Sequence, residues 1–492
     1  MVFLLTDAAA DAGKIDAAFG PVVSFLEKIF FWDPVAAIGI DAGVRIPIVV
    51  LWLILGGIYF TIRMRFVNFR AFRHSFGLIA GKYDKTGDKG EVSHFQALAT
   101  ALSATVGLGN IAGVAIAVTI GGPGATFWMI IAGLLGMSMK FTECTLGLKY
   151  RDIDERGRVS GGPMYYLSRG LKKRKLGALG MVLAGFSAIM MVLASFGGSN
   201  MFQANQSFAQ FRLIFPGLEP YGFWFGIALA ALIGVVVYGG IKSIARVASK
   251  LVPFMAILYV GAALVIIIMN IGRVDEVFMV IIKGAFSPVA VKGGIIGVLI
   301  TGFQRGAFSN EAGVGSAAVA HAAARTNVPV KEGIVALVEP FIDTVVICTM
   351  TAMVIIFTGV SETGSGLEGS QLTSAAFATV FPWFPYLLVI SILCFAFSTM
   401  ISWSYYGLNG FRYLFEKPFR RMGIPVKILP PVYYAIFLTF TVIGASASLN
   451  NVIAFSDMMV LTMAFPNIIG LVILAPEVYA DLQAYLATLK KK

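Results

Sequence analysis

At 492 residues, with 58% hydrophobic and only 13% charged side chains, the chain lacks the composition of a soluble enzyme, where about a quarter of residues are charged. Its mean hydropathy of +0.83 points to a membrane protein built of helices long enough to cross about 30 Å of hydrocarbon. The net charge of +12 does not indicate nucleic acid, because the Lys and Arg lie in loops between apolar runs. Cys144, Cys348 and Cys394 lie far apart in apolar runs and read as reduced thiols. His74, His94 and His321, the three histidines, have no metal-site spacing.

Residues 1–46 contain no full span. The stretch Pro21 to Trp32 has the pattern of a helix lying at the interface. Eleven spans are expected after it, near 47–62, 95–118, 125–147, 178–204, 222–239, 251–269, 293–322, 334–358, 385–408, 431–449 and 452–475. With the N-terminus outside, 29 of the 38 Lys and Arg fall in inside segments and seven in outside segments. Lys140 and Arg305 remain within spans. This asymmetry predicts an outside N-terminus and a cytoplasmic tail over 476–492.

Two of the spans are irregular. ALSATVGLGNIAGVAIAVTIGGPG (101–124) sets Gly107, Gly109 and Gly113 around Asn110, and 293–322 sets Gly306, Gly313 and Gly315 around Ser309, Asn310 and Glu311. Packing of small residues explains either stretch alone without a ligand. Two interrupted helices of opposite direction, five spans apart, instead predict an inverted-repeat transporter, with repeats over about 95–269 and 293–475 inside a membrane domain of 47–475. The fold class expected is all-α: one extra N-terminal span followed by a 5+5 repeat in spans 2–11.

At GGPGATFWMIIAGLLG (121–136) the chain resembles the alanine or glycine:cation symporter family. The likeness continues through ATVGLGNIAGVA, SNMFQANQSFAQ (199–210), GAFSNEAGVGSAAVAHAAA (306–324) and FSTMISWSYYG (397–407). Thr126 and Ile130 depart from the family pattern, both on the third span away from the expected pocket. The resemblance implies the leucine-transporter type of fold and sodium-coupled symport of alanine or glycine.

A zwitterionic amino acid needs donors for its carboxylate, acceptors for its ammonium and a sized apolar pocket. The freed backbone around Gly107 and Gly109 suits the carboxylate. Thr105, Asn110, Ser309 and Asn310 are further substrate candidates, with Gln203 and Trp403 walling the side chain. Carbonyls from Ser103 to Val106, the Phe395 carbonyl and the hydroxyls of Ser398 and Thr399 offer an all-oxygen shell, which the resemblance assigns to sodium. Arg305, Glu311, Glu339 and Asp343 are intramembrane charges without assignable partners, while Lys140 and Glu143 read as a snorkelling pair. No cofactor beyond the coupling ion and no catalytic constellation is expected; the partners are a small neutral amino acid, sodium and the bilayer. The alternatives are proton coupling through Glu311 or Asp343, and a non-transporting amino-acid sensor or channel.

Overall fold

The computed structural model describes residues 20–155, 157–287, 293–362 and 366–490. Residues 1–19 of the expected N-terminal segment and 491–492 of the expected tail lie outside these. A helix occupies 20–30, where the interfacial helix is expected. The chain then forms α1 (Ile48–Arg63), α2 (His94–Thr105), α3 (Ala112–Gly121), α4 (Ala125–Lys149), α5 (Pro163–Lys173), α6 (Gly177–Ile214), α7 (Gly222–Val237), α8 (Gly240–Met269) and α9 (Val274–Ala285). It continues with α10 (Gly294–Asn310), α11 (Ala317–His321), α12 (Pro329–Thr358), α13 (Ser370–Ala378), α14 (Phe384–Arg421), α15 (Leu429–Ser446), α16 (Leu449–Thr462) and α17 (Ala464–Lys490). The one described pair of strands is a short hairpin in the α4–α5 loop, with Asp152 opposite Ser160.

Eight described segments are long and apolar enough to cross a membrane. The other three expected spans are α1, of 16 residues, and the two interrupted ones. Each interrupted span is a pair of short helices, α2 with α3 and α10 with α11, and neither half alone has the length of a crossing. The breaks fall at 106–111 and 311–316, where glycine surrounds polar residues. In the second, Gly313 and Gly315 both take φ of +87°, a conformation that L side chains rarely adopt.

The interrupted helices lie side by side, α3 packing on α10 and α2 on α11. They run in opposite directions with their breaks level, since Asn110 Nδ2 donates to Ser309 Oγ at 3.1 Å. The gently interrupted α6 has a π turn at Gly197–Met201, and α12 has one over Phe341–Cys348. The inner helix α4 packs on α1, α10, α11 and α12. By contrast, α7, α8 and α15 bury only 33, 28 and 33% of their apolar windows, leaving Val235, Tyr238 and Ile257 fully on the outside. Bare apolar helix surface of this extent is stable against lipid and not against water, so these helices form the lipid-facing layer.

The loop after α12 and the C-terminal end of α14 should lie on opposite sides of the bilayer. Single cysteines replacing Glu368 and Lys417, both exposed, are expected to react with a membrane-impermeant thiol reagent from opposite faces of sealed vesicles. Labelling of both from one face would overturn the threading.

Candidate functional site

The first break is held open by side chains that replace the missing helical bonds. Asn110 Oδ1 accepts from the Gly107 N–H at 2.8 Å, and Gln203 Oε1 accepts from the Leu108 N–H at 3.2 Å. Gln203 is itself fixed by donating to the Gly198 carbonyl at 3.1 Å, in the π turn of α6. A π turn shifts the bonding ladder by one residue, which makes such a carbonyl available. The second break mirrors the first. Asn310 Oδ1 accepts from the Ala312 N–H at 2.9 Å, and Glu143 Oε2 accepts from the Gly315 N–H at 3.1 Å.

Between the two breaks lies an enclosed cavity of about 10 Å³, room for about one water molecule. Thr105, Gly109, Gln203 and Thr399, all expected from sequence, line it. Glu311, Phe308 and Ser199 line it as well. Of the four intramembrane charges left without partners by the sequence, Glu311 alone reaches this cavity. Its backbone has φ of +54°, unusual for a non-glycine residue, as the last cap of α10. Its carboxylate accepts from Trp403 Nε1 at 3.0 Å and from Ser316 Oγ at 2.6 Å. Trp403 is completely buried and stands behind Glu311 instead of lining the cavity. Sequence reasoning places Trp403 in the pocket wall because it sits one turn from Thr399; the contact to Glu311 is non-local and has no sequence signal.

Asn110, Ser309 and Asp343 make one closed set. Asn110 Nδ2 donates to Asp343 Oδ1 at 2.6 Å, and Ser309 Oγ and Thr344 Oγ1 donate to Asp343 Oδ2 at 2.8 and 2.7 Å. Asn310 Nδ2 donates to Thr344 Oγ1 at 3.0 Å, so it too faces the π turn of α12. These three candidates bridge the broken helices to α12. Arg305 pairs with Asp457, to which Gln304 also donates. Lys140 and Glu143 do not snorkel: both are fully buried, and Lys140 Nζ lies 2.9 Å from Glu339 Oε1. Glu339 and Asp343, four residues apart, serve different partners because the helix changes pitch between them.

Three members of the oxygen set expected for a cation, Ser103, Phe395 and Ser398, are joined by hydrogen bonds. Ser103 Oγ donates to the Ser398 carbonyl at 2.8 Å, and Ser398 Oγ lies 2.9 Å from the Phe395 carbonyl and 3.5 Å from the Ser103 carbonyl. Ser402 Oγ, which sequence reasoning missed, donates to Ser103 Oγ at 3.0 Å. Val106 is the buried cap residue where α2 ends. Thr399 Oγ1 is buried with no hydrogen-bond partner among the described residues. A Cβ added at Gly107 would stand 2.5 Å from it. An unpartnered buried hydroxyl costs about 1–3 kcal/mol, so a ligand oxygen acceptor or a cation at this point would be stabilised.

A larger cavity of about 580 Å³ lies further along α6, lined in part by Asn205, Gln206, Arg212, Glu368 and Gln371. Gln371, on α13, contributes to its lining. Ser370 N–H donates to Gln206 Oε1 at 3.0 Å, and Thr373 Oγ1 donates to the Ile111 carbonyl at 3.1 Å. These bonds tie α13 to α6 and to the first break, just before α3.

Two antiparallel broken helices around a sealed polar cavity, inside a lipid-facing layer, define a multi-pass secondary transporter. The solved structure of MhsT in complex with L-phenylalanine shares this fold, with a TM-score of 0.50 over 80% of this chain and 100% of that one at 14% identity. The chain belongs to the sodium:alanine symporter family, whose model matches residues 36–492. It is 40% identical over 440 residues to the sodium/alanine symporter AgcS of Methanococcus maripaludis, covering 88% of this chain and 93% of that protein. It is also 36% identical over 446 residues to the "Probable sodium/glutamine symporter GlnT" of Bacillus subtilis, covering 89% and 87%. The chain is therefore a cation-coupled amino-acid transporter and not an enzyme.

The glycines at the first break differ in what they tolerate. Thr399 is β-branched and stiff, so Gly107→Ala has no cheap relief and should abolish amino-acid uptake. At Gly109 a Cβ meets the Ser309 Cα at an ordinary 3.4 Å, and uptake should fall only partially. Equal loss in both variants, at equal expression, would refute this geometry. Asn110→Ala leaves Asp343 and the Gly107 N–H short of partners and should lower stability by about 1–3 kcal/mol, read from thermal unfolding in detergent.

Proposed function

We propose that the protein carries a small neutral amino acid, alanine or glycine, into the cell together with sodium, by alternating access around the cavity between the two broken helices. The single observation that carries this reading is the convergence on one closed cavity of Thr105, Gly109, Gln203, Thr399 and Glu311. In it, the Gln203 carbonyl oxygen occupies the acceptor position on the Leu108 N–H that a substrate carboxylate would take. The N-terminal end of α3 adds favourable dipole for that carboxylate. Glu311 supplies an acceptor suited to the ammonium group. Sodium is assigned to the oxygen set of Ser103, Val106, Phe395, Ser398 and Thr399, where neutral oxygens replace its hydration shell.

In a substrate pocket opened around these residues, each added methylene is worth about 1–3 kcal/mol of discrimination, which suits selection of a small side chain. Relatives with different amino acids in their names share the fold, so selectivity belongs to the few side chains at this end. Eleven crossings, a 5+5 inverted repeat, an outside N-terminus and a cytoplasmic tail complete the reading, supported by the 29-to-7 charge asymmetry and the opposed broken helices. One sodium ion entering across 100 mV supplies about 2.3 kcal/mol to the transport cycle.

The reading is tested by uptake of labelled alanine into proteoliposomes, with sodium and pH gradients imposed separately. Uptake should follow the sodium gradient, serine should compete moderately and leucine poorly. Thr399→Ala should raise the sodium concentration for half-maximal uptake about fivefold, equivalent to roughly 1 kcal/mol for one lost ligand. The position of Glu311 in the cavity favours proton coupling as a second reading, and uptake driven by a pH gradient without sodium would put it first.

A further inference from the structure

Outside the cavity, a group of buried ionisable side chains lies at the end of the bundle that carries the basic loops. Glu332, in the first turn of α12, is completely buried. Its Oε1 meets His321 Nδ1 at 2.7 Å, and its Oε2 contacts His94 Nδ1. His94 is the first residue of α2 and His321 the last of α11. One carboxylate therefore clips together the inner halves of both broken helices. The backbone is joined at the same level: the Glu91 N–H donates to the Ala323 carbonyl at 2.8 Å, and the Arg325 N–H donates to the Val92 carbonyl at 2.8 Å. Arg151 covers the junction by donating to the carbonyls of Lys89, Ala322, Ala324 and Thr326.

The second nitrogen of each ring also faces a carboxylate. His94 Nε2 lies 3.5 Å from Asp84 Oδ1, and His321 Nε2 lies 3.5 Å from Glu339 Oε2. Two acceptor-only groups on the two nitrogens of one ring suit the imidazolium, which has two donors, and not a neutral imidazole, whose lone pair would face an anion. With both rings charged, His94, His321 and Lys140 face Glu143, Glu332 and Glu339, and the buried Lys331 and Glu311 nearby add one charge of each sign. Other titratable or charged groups within electrostatic reach are Asp84 and Asp88 on the 80s loop, Arg151, Lys331 beside Glu332, Cys144 on α4, Tyr166 on α5, Glu311 at the second break and Tyr406 on α14. Lys331 and Arg151 point to backbone carbonyls, Lys331 to that of Tyr83. None of the clip residues lines the central cavity.

We infer that His94, Glu332 and His321 form a proton-dependent latch that must release before the cavity can open toward the side of the basic loops. Arg or Lys in place of the histidines would hold this junction at any pH; imidazole is the side chain that can lose its charge. Protonated rings hold Glu332 and keep the junction shut, and the carboxylates on both nitrogens favour that form, so closure persists through neutral pH and weakens only in alkaline solution. A proton lost here leaves an excess of buried anions, which favours entry of water and separation of α2 from α11. The latch rests on the alternating-access reading above, as the gate of that cycle.

Hydrogen exchange of the whole protein in lipid nanodiscs, without substrate or sodium and corrected for the intrinsic pH dependence of exchange, tests this inference. Amides of 89–95 and 322–327 should exchange on the order of tenfold faster at pH 10 than at pH 6, the scale of one charge-assisted contact. The double variant His94→Gln, His321→Gln should lose that pH slope while α14 keeps native protection, and Glu332→Gln should exchange fast at both pH values. Equal protection of the native junction at pH 6 and 10, a measurement that needs no variant, would overturn the latch, as would an undiminished slope in the double variant. Because the experiment uses no substrate, its failure leaves the transport reading standing, and failed alanine uptake leaves its result interpretable.

Discussion

A helix broken at membrane depth releases N–H and C=O groups that no lipid can satisfy, and each one left bare costs several kcal/mol. The rest of this structure depends on meeting that demand twice, at the same level, in neighbouring helices. Asn110 and Gln203 take the free N–H groups of the first break; Asn310 and Glu143 take those of the second. Each of these side chains is then held by another: Gln203 by the π turn of α6, Asn110 by Asp343, Asn310 by Thr344 on α12, and Glu143 by Asn467 on α17. The breaks are thus held in place by four other helices, α4, α6, α12 and α17. What stays free is a small set of groups around the cavity, chiefly the Thr399 hydroxyl.

This arrangement separates two kinds of polar residue that look alike along the chain. Asp343 is fully engaged by Asn110, Ser309 and Thr344, so it rigidifies the joint between the broken helices. Glu311 accepts two bonds and still lines the cavity. Both are single carboxylates in apolar spans, and a carboxylate in such surroundings has to be paired wherever it points. Whether it serves the joint or the ligand is set by neighbours supplied from other helices.

Two junctions beside the broken helices are held by different physics. On one side α13 is held by neutral hydrogen bonds, from the Ser370 N–H to Gln206 and from Thr373 to the Ile111 carbonyl. On the other, buried ion pairs among Glu332, His94, His321, Glu339 and Lys140 close the junction. Neutral hydrogen bonds contribute only about 0.5–1.5 kcal/mol each, so the first seal can be exchanged readily for contacts with water. Separating buried charges is expensive unless their number stays balanced, so the second seal responds to protons.

The apolar runs, the Gly-Asn interruptions and the distribution of Lys and Arg were enough, read along the chain, to locate both broken helices and ten of the other elements around them. These features are local: twenty apolar residues span a bilayer, and glycine weakens a helix, whatever lies nearby. The oxygen donors of Ser103, Phe395 and Ser398 were legible for the same reason, since hydroxyls and freed carbonyls announce themselves in a span. Tertiary structure alone decided that Trp403 supports Glu311, that Lys140 is buried against Glu339 instead of snorkelling, and that Ser402 joins Ser103. It also decided that His94 and His321, 227 positions apart, share one carboxylate. The partner of a buried polar group is chosen by helix packing and by π turns that change a helix's phase, and neither leaves a periodic trace in the sequence.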